Sequence, residues 1–503
     1  MEVSRPSASG STPVQRVRIL HTNDVHGNLS PLPDQVILGR PALLGGSACL
    51  ATVVEKAREE DPGRTLLLDS GDSVHGNLST DIDRGKGMVR VMDRLGYDAG
   101  TIGNHDFQWG VDRLIHRLGT ADYRVLVSNV VMEDGSPLPR TEPRRIFDMD
   151  GVKVGVTGLL TTETARKQRK HRIEGVKFLD EVTTLRENAR ALREEGADVV
   201  VVMSHMGLAK DREVASQLAG EGLIFLGGHS HDRVPEAQQV AGNYVVQAGS
   251  MGKEVGELVL EVQGHQVVGV QHRLIPLDPA TLEPEPHIAA LVSRYENRAE
   301  WEMGFPLTIL SEALTRSDRH DSTLGNFVTD SMRSAAGAQL AFLNSDALRA
   351  DLRPGIVRKK ELYALMPFEG EVMRGELKGS QVLEALEHSV QLRGRSPETQ
   401  SSFLQVSGLR FAYDASRPEG QRVLEVEVDG RPLDPEATYT VALDDYLYEG
   451  RLGYTSFADG KWKATGVAMM DAMAAVAKGG IPAGGSRRIE DRTPAAAGPD
   501  AVA

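Results

Sequence analysis

The feature that most constrains this chain is a regular alternation, over residues 16–275, of short aliphatic runs with segments of helical periodicity. The runs have strand length and are rich in Val, Ile and Leu, which is typical of strands buried on both faces. Between them, residues 49–59, 87–95 and 182–195 place apolar side chains at helical spacing among charged ones. The pattern predicts an α/β fold in which helices cover the sheets. The runs are RVRIL, TLLLD, RVLVS, VKVGVTGLL, DVVVVMS, LIFLG and YVVQA.

The 503-residue length predicts more than one domain. Four prolines within residues 276–287 exclude a continuous helix or a central strand, so a boundary is expected there. Residues 288–303 then read as a helix that leads into a second, smaller domain of mixed helices and strands, α/β or α+β. Both ends are rich in small residues and proline, and are predicted to be disordered. The predicted ranges are 1–15 disordered, 16–275 first domain, 276–304 linker with helix, 305–481 second domain, and 482–503 disordered.

Composition limits the classes of partner. Lys and Arg total 57 against 71 Asp and Glu, a formal net charge of -14, which argues against general affinity for nucleic acid or anionic membranes. A single cysteine, Cys49, excludes an internal disulfide and a thiolate-rich metal site. The first residues, MEVSRPSASGSTPVQR, lack the apolar stretch of a signal peptide, so a cytoplasmic location is expected for the chain as given.

Polar clusters follow several of the strand-like runs of the first domain. In open α/β folds the carboxyl ends of the strands meet at one crevice, so these separated segments are predicted to share a site. Asp, His and Asn side chains without cysteine suit zinc, manganese or iron. The clusters contain Asp24 and His26; Asp72; Asn104, His105 and Asp106; His205; and His229 and His231.

A centre of two metal ions is plausible for this ligand set, because such centres lower the pKa of bound water and clamp a displacement at phosphorus. Asp72, beside Gly71, is the best candidate for a carboxylate that bridges both ions. Each element alone has a structural alternative: Asp24 can be a turn or helix-cap carboxylate, and an isolated histidine is more often a hydrogen-bonded structural residue. His21 and His75 are interpreted in that structural way and are left out of the metal site.

Taken in order, ILHTNDVHGN, LDSGDSVHGN, IGNHDFQWG, SHMG and GGHSHD resemble the motifs of calcineurin-like metallophosphoesterases, specifically the 5'-nucleotidase and UDP-sugar hydrolase family. STLGNFVTDSM, LNSDALR, MPFEGEV, FLQVSGLRFAYD and GYTSF are similar to that family's second domain. The resemblance implies a four-layer αββα sandwich that binds two divalent metals, followed by a smaller α/β (α+β) substrate-binding domain.

The resemblance also implies roles for individual residues. It places Asp24, His26, Asp72 and His231 around one metal, and Asp72, Asn104, His205 and His229 around the other. The ions are expected to be Zn, Mn, Fe or Co, with the identity undetermined.

His105 takes the place of the histidine that stabilises the transferring phosphoryl group or the leaving oxygen. The family commonly has an Asp three residues later, where this chain has Gln108. Either the neutral amide stabilises the imidazolium less than a carboxylate would, which makes His105 less basic, or Asp106 substitutes for the missing carboxylate.

On the substrate side, the resemblance implies an adenine-type base between two aromatic rings, which correspond to Phe403 and Tyr454. The alternative is that both are ordinary core aromatics. Arg349 resembles the family's substrate-binding arginine, and Arg393 is a looser candidate whose alternative is a solvated loop residue. Two further positions depart from the family: Asp346 stands where Gly is usual, and Leu452 replaces the acidic residue of a GGDG segment.

The expected function is hydrolysis of nucleotide monoesters by metal-bound hydroxide, a step in nucleotide catabolism. Alternatives are a 2',3'-cyclic-nucleotide phosphodiesterase, a UDP-sugar pyrophosphatase and, in another class, a non-catalytic metal-dependent nucleotide-binding protein. The expected partner is a small-molecule nucleotide, with no nucleic acid and no membrane. The family is mostly exported, so an extracytoplasmic location is the alternative to the cytoplasm. The sequence leaves the oligomeric state open.

Overall fold

The computed structural model describes residues 13–366, 370–392, 403–481 and 487–494. The chain divides into two compact units, Met1–Glu300 and Trp301–Ala503. Among the described residues, no helix is both long and apolar enough to cross a membrane.

The first unit contains most of the strands. They are β1 Gln15–Thr22, β2 Leu32–Asp34, β3 Ala42–Leu44, β4 Thr65–Asp69, β5 Ala99–Gly100, β6 Arg124–Val125, β7 Val130–Met132, β8 Arg144–Met149, β9 Val152–Leu160, β10 Val176–Phe178, β11 Val199–His205, β12 Leu223–Gly227, β13 Arg233–Val240, β14 Asn243–Ala248, β15 Glu254–Gln263 and β16 Gln266–Pro276. The helices are α1 Ser47–Glu60, α2 Leu78–Asp81, α3 Lys86–Leu95, α4 Val111–Leu118, α5 Thr164–Lys167, α6 Glu181–Glu194, α7 Leu208–Gln217 and α8 Pro286–Met303, with 3-10 turns at Asn104–Trp109 and Lys170–Arg172.

Two six-stranded sheets form the centre of this unit. Their strand orders are β16-β15-β1-β4-β5-β6 and β13-β14-β12-β11-β9-β8. Strands β1, β4, β5 and β6 run parallel, as do β9, β11, β12 and β14. In each set the strands are joined by helical or loop crossovers, which is how parallel neighbours must be connected. Their carboxyl ends therefore lie at one edge of each sheet.

The layers follow from which side chains are buried together. Val17 and Leu68 of the first sheet pack against Val154, Val201 and Ile224 of the second, so the sheets lie face to face. The outer face of the first sheet packs against helices α1 and α3, and that of the second against α6 and α7. Helix, sheet, sheet and helix make the four-layer αββα sandwich, which confirms the predicted fold class.

The second unit is smaller and mostly antiparallel, so it is of the α+β kind. Its main sheet has the order β21-β18-β25-β20-β26, and a second sheet has the order β24-β23-β22-β27. The strands are β17 Pro306–Leu310, β18 Leu340–Asn344, β19 Gly355–Arg358, β20 Glu371–Lys378, β21 Leu404–Ser407, β22 Leu409–Tyr413, β23 Val423–Val428, β24 Arg431–Pro432, β25 Thr438–Asp444, β26 Lys463–Ala468 and β27 Ile489–Asp491. The helices are α9 Thr323–Ala336, α10 Lys359–Leu365, α11 Gly379–Leu392, α12 Thr455–Ala458 and α13 Met469–Lys478, with 3-10 turns at Ser345–Ala347, Leu447–Glu449 and Arg451–Gly453.

The structure corrects the predicted ends of the folded region. Residues 487–494 belong to the range predicted to be disordered, yet β27 pairs in parallel with β22, Phe411 lying opposite Ile489. Ile489 is 4% exposed and packs in the second unit's core, so its burial offsets the cost of ordering the segment. At the other end, β1 begins at Gln15, one residue before the predicted boundary.

The predicted linker helix is present as α8, and its apolar side chains Ile288 and Val292 pack in the core of the first unit.

Candidate metal centre

Each predicted site residue of the first unit lies at the end of a parallel strand or in the loop that follows it. The register aligns three strand ends in the first sheet, where Thr22 is opposite Asp69 and Asp69 is opposite Gly100. In the second sheet Ser204 is opposite Gly227. The chain therefore leaves both sheets at the same edge, and the loops after β1, β4, β5, β11 and β12 meet there.

Five of the predicted metal ligands have the left-handed backbone conformation that non-glycine residues rarely adopt. Such conformations are held in place by the surrounding structure and concentrate at functional sites. The φ angles are 50° for Asp24, 52° for His26, 54° for Asp72, 76° for His229 and 59° for His231.

One group of candidate ligands consists of Asp24, His26 and His231, whose ligand atoms lie within 4.8 Å of one another. Nε2 of His26 is 3.1 Å from Nε2 of His231, and Oδ1 of Asp24 is 3.4 Å from that same atom of His231. The Asp24 carboxylate is fixed by the backbone N–H of His229 and by the side-chain amide of Asn23. The three residues can hold one divalent cation.

A second group consists of Asp72, His205 and His229, again within 4.8 Å. Nε2 of His205 is 3.1 Å from Oδ2 of Asp72, and Oδ1 of Asp72 accepts the backbone N–H of His105 at 2.7 Å. Oδ1 of Asn104 is buried and has no hydrogen-bond partner among the described residues. A buried amide oxygen without a donor is costly unless a cation takes the donor's place, so Asn104 fits as a further ligand of this group.

The tautomers of two histidines show that the candidate ligand atoms suit cations. Nδ1 of His26 donates to the carbonyl oxygen of His75 at 2.9 Å, and Nδ1 of His205 donates to that of Ser70 at 2.7 Å. In each neutral ring the other nitrogen, Nε2, then carries a lone pair. The lone pair of His205 faces a carboxylate oxygen, an arrangement of two acceptors that requires a proton or a metal ion between them.

The electrostatics support the same interpretation. Burial lowers the pKa of His205, but the carboxylates of Asp72 and Asp24 outweigh burial and raise that pKa to about 10. Burial raises the pKa of Asp72, and the imidazoles of His205 and His105 more than offset this and leave the pKa below its ordinary value. Burial lowers the pKa of His229 to about 4. The carboxylates stay ionised and attract positive charge, which a metal ion can supply in place of a proton.

Close packing around Asp72 depends on Gly103. A Cβ atom on Gly103 would lie 2.1 Å from Oδ1 of Asp72 and 2.6 Å from its backbone nitrogen. The loop that carries Asn104 can approach Asp72 only because residue 103 has no side chain. Asp72 and Asn104 thus come together from loops after two neighbouring strands.

Five of the candidate ligands line a cavity of about 380 Å³, namely His26, Asp72, Asn104, His229 and His231. His105 also lines it, together with Met251 and Gly76. His105 is half-buried, and its Nδ1 is 3.0 Å from Nδ1 of His75, with the two rings stacked at a centroid distance of 5.1 Å. Burial, and after it His105, lowers the pKa of His75 to about 3. An imidazole that faces the cavity beside the ligand groups can contact a bound phosphoryl group.

The expectation that Asp106 substitutes as the partner of His105 is wrong in this structure. Oδ2 of Asp106 accepts the backbone N–H of Gly103, and Oδ1 accepts from the buried guanidinium of Arg117 at 2.8 Å. Both oxygens are therefore engaged in holding the loop. The ring whose nitrogen lies within hydrogen-bonding distance of Nδ1 of His105 belongs to His75, which was interpreted from the sequence as a structural histidine outside the metal site.

Phe403 and Tyr454, the two rings expected to enclose a base, are buried in the core of the second unit. Phe403 is 0% and Tyr454 1% exposed, and Tyr454 stacks on Phe457 with an interplanar angle of 16°. In this arrangement neither ring offers a face to a ligand, so the predicted stack is not formed. Their environment is that of ordinary core residues.

The other predicted substrate residues have different outcomes. Arg349 is exposed, and its charge lies close enough to Asp346 to lower the pKa of that carboxyl against the larger, opposite effect of burial. Arg393 lies outside the described residues. Leu452 adopts a left-handed φ of 57°, and its carbonyl oxygen accepts from Nε2 of His388 at 2.9 Å.

Comparison with known proteins agrees with this site. The family described as calcineurin-like phosphoesterase matches residues 17–233, and that described as 5'-nucleotidase, C-terminal domain matches residues 306–459. An apyrase of Tabanus yao is 27% identical over 495 residues, which cover 88% of this chain and 87% of that protein. The 5'-nucleotidase of Bos taurus is 28% identical over 496 residues, covering 88% of this chain and 85% of that protein.

A solved structure of similar extent is the 5'-nucleotidase precursor of Thermus thermophilus. Its TM-score is 0.65 at 28% identity, and the match covers 95% of this chain and 100% of that one. Both domains of the sequence resemblance are thus found, in the same order and over most of the chain. The chain belongs to the 5'-nucleotidase family of calcineurin-like metallophosphoesterases.

Proposed function

We propose that this protein is a metal-dependent 5'-nucleotidase, which hydrolyses the phosphate monoester of nucleotides. The observation that carries the proposal is the pair of ligand groups, Asp24 with His26 and His231, and Asp72 with His205 and His229, beside one cavity. Family membership supports the same reaction class. Imidazole, carboxylate and amide ligands suit Zn, Mn, Fe or Co, and cellular supply decides among them.

The two ligand groups explain how an acidic protein can hold a phosphate. When bound, two divalent cations stabilise the charge of a phosphoryl group and lower the pKa of water at neutral pH. Their charge exceeds that of the Asp24 and Asp72 carboxylates, so the cavity becomes locally positive although the chain carries -14. Charges elsewhere on the surface are screened by salt over about 10 Å.

The residues of this chain divide the remaining work. The backbone N–H groups of His229 and His105 hold Asp24 and Asp72 in place, and the carbonyl oxygens of His75 and Ser70 fix the tautomers of His26 and His205. Such supporting hydrogen bonds orient ligands and typically contribute about 10–100-fold to affinity or activity. His105 faces the cavity, where its imidazole can hydrogen-bond the oxygen that gains charge in the transition state.

A nucleotide is the proposed substrate because the second unit matches the 5'-nucleotidase C-terminal domain. The exposed guanidinium of Arg349 can bind a phosphate or carboxylate through paired N–H groups. Phe403 and Tyr454 are buried, so neither ring supports the proposal of a nucleotide substrate.

The test is a substrate panel of nucleoside monophosphates, 2',3'-cyclic nucleotides, UDP-sugars and nucleoside di- and triphosphates. Each is assayed with metal-stripped protein and with protein reloaded with one metal at a time. We expect phosphate release from AMP that depends on added metal. Preferential cleavage of a cyclic nucleotide or a UDP-sugar would replace the proposed substrate, and nucleotide binding without turnover under any metal would contradict an enzymatic function.

A further inference from the structure

His105 lines the cavity, and the imidazole of His75 lies beside it with a nearly parallel ring plane. Their rings lie 5.1 Å apart with an interplanar angle of 16°, and their Nδ1 atoms are 3.0 Å apart. A contact of that length between two imidazole nitrogens is a hydrogen bond only if one carries the proton and the other does not. The direction of this bond therefore decides the tautomer of both rings.

Burial determines the direction. His75 is 6% exposed, and its Nε2 atom is buried without a hydrogen-bond partner among the described residues. If the proton of His75 were on Nε2, a buried N–H would have no acceptor, which is rare and costly in proteins. With the proton on Nδ1, His75 donates to His105, and the buried Nε2 is left with an unpaired lone pair, which is less rare in proteins than an unpaired buried N–H.

The consequence for His105 is a defined orientation of its other nitrogen. Because Nδ1 of His105 accepts the bond, the neutral ring carries its proton on Nε2. His105 lines the cavity, and its Nδ1 atom is already engaged by His75. Its Nε2–H is then available as a donor to an anion, which is the role that transition-state stabilisation requires.

His75 is itself held from several sides. Its ring contacts Trp109 edge to face at a centroid distance of 5.3 Å, and the guanidinium of Arg117 lies 5.4 Å from the centroid of the Trp109 ring. Arg117 is fixed in turn by Asp106. The carboxylate expected to act on His105 thus contributes through packing, by supporting the side chains that immobilise His75.

We propose that His75 is a positioning residue, whose Nδ1–H hydrogen bond holds His105 with its Nε2–H toward the bound phosphoryl group. The proposal rests on the proposed function of the cavity. The resemblance to the family leads us to expect an aspartate at position 108, where this chain has Gln108, and we assign the orientation of His105 to the neutral imidazole of His75. Its ring acts on His105, while its backbone carbonyl separately holds the ligand His26.

The kinetic test is a double-mutant cycle with His75→Ala, His105→Ala and the combined variant, assayed on AMP after reloading with metal. We expect His75→Ala to lower kcat about 10–100-fold with little change in KM, because the backbone carbonyl and the metal ligands stay in place. In the His105→Ala background the same change is expected to have no further effect. His75→Asn, which can present a side-chain N–H near the position of Nδ1, is expected to restore part of kcat.

His272→Ala is the matched control. His272 and His21 form a similar stacked pair in the first unit, with Nε2 atoms 3.0 Å apart and ring centroids 5.2 Å apart, but neither ring lines the cavity. Loss of a histidine pair there is expected to leave kcat unchanged. Metal content, measured by elemental analysis, is expected to be equal in the wild type, His75→Ala and His272→Ala.

A spectroscopic experiment tests the positioning role of His75 independently of the proposed 5'-nucleotidase function. In ¹⁵N-histidine-labelled, zinc-loaded protein, the coupling pattern of His105 is expected to show the proton on Nε2, and His75→Ala is expected to give a mixture of tautomers. That result stands whether or not AMP is a substrate. A proton on Nδ1 of His105 in the wild type, additive kinetic effects in the cycle, or an unaltered kcat in an active His75→Ala enzyme would each overturn the positioning role.

Discussion

The ligand loops of the first unit lie where the sequence predicted a shared site, whereas the aromatic residues of the second unit do not form the predicted base-binding stack. Both sets were identified from motifs of the same family. Asp24, Asp72, His205 and the other candidate ligands come from separate loops and meet beside one cavity. Phe403 and Tyr454 come from motifs of comparable quality and lie inside the hydrophobic core. A motif made of charged and metal-binding groups thus predicted its environment better than a motif made of aromatic rings.

The physical reason is the cost of burial. Aspartates and histidines that follow a strand cannot be buried without partners, so a cluster of them demands a cation, a proton or a hydrogen bond. A phenylalanine ring can be buried either in a hydrophobic core or against a ligand, because both environments remove its surface from water. Its chemical identity therefore does not distinguish the two roles.

The largest effect on turnover is expected from Asp72→Asn, which tests the ligand side of this comparison. A neutral amide would hold a divalent cation less well than a carboxylate, so the change should remove stabilisation worth several kcal/mol, and AMP hydrolysis should fall at least about a thousandfold. Phosphate release and metal content are the measurements. Asp112→Asn, an exposed carboxylate on α4, is the charge-matched control and should retain full activity.

Retention of activity by Asp72→Asn, with the same two metals bound, would contradict the assignment of Asp72 to the metal centre. Equal losses in Asp72→Asn and Asp112→Asn would point to a general effect of charge removal.

Phe403→Leu tests whether Phe403 binds the base or belongs to the core. We expect a smaller effect than that of Asp72→Asn, and an effect on stability. As a core substitution it should lower the free energy of unfolding by about 1–3 kcal/mol and leave KM for AMP unchanged. Phe342→Leu, at another fully buried ring of the same core, is the matched control and should behave alike. Thermal unfolding and steady-state kinetics check both variants.

Stacking of a base on an aromatic ring contributes about 1–3 kcal/mol, equivalent to a rise in KM of roughly fivefold or more when it is lost. A rise of that size in Phe403→Leu but not in Phe342→Leu would return Phe403 to the substrate pocket and remove the contrast between the two regions.

We expect Asp211→Asn to leave turnover unchanged. This variant tests whether burial raises the pKa of a carboxyl group outside the candidate metal centre. Asp211 is buried, Ser204 donates to its Oδ1, and burial raises its pKa to about 7. Between about pH 4 and pH 7 the unfolded chain releases this proton while the folded protein keeps it, so stability falls as pH rises through that window. The contribution is fully lost above about pH 7.

The asparagine variant lacks this titration, so its stability relative to the wild type should improve by roughly 1–3 kcal/mol between about pH 4 and pH 8. Unfolding midpoints at several pH values check the expectation, with Asp112→Asn as the control. A difference between wild type and variant that does not vary with pH would show that Asp211 ionises normally in the folded protein.

Particular residues show where sequence reasoning succeeded and failed. The αββα fold followed from aliphatic runs and helical spacing, since both patterns report burial directly. The strand Ile489–Asp491 was missed because three residues between Pro-rich and charged segments carry too little pattern, and only pairing with β22 and burial of Ile489 order them. His75 was left outside the metal site, but its contact with His105, which is 30 residues away along the chain, was not predicted from the sequence.

By itself the sequence determined the order of the domains, the sandwich of sheets and the identity of the groups able to bind metal, since apolar periodicity and ligand chemistry are local properties of residues. Only the tertiary structure decided which histidine lies within hydrogen-bonding distance of His105, that Asp106 binds Arg117, and that Phe403 and Tyr454 are buried. Those outcomes depend on which side chains the packed loops and sheets bring within hydrogen-bonding or van der Waals distance, and no local pattern encodes that distance.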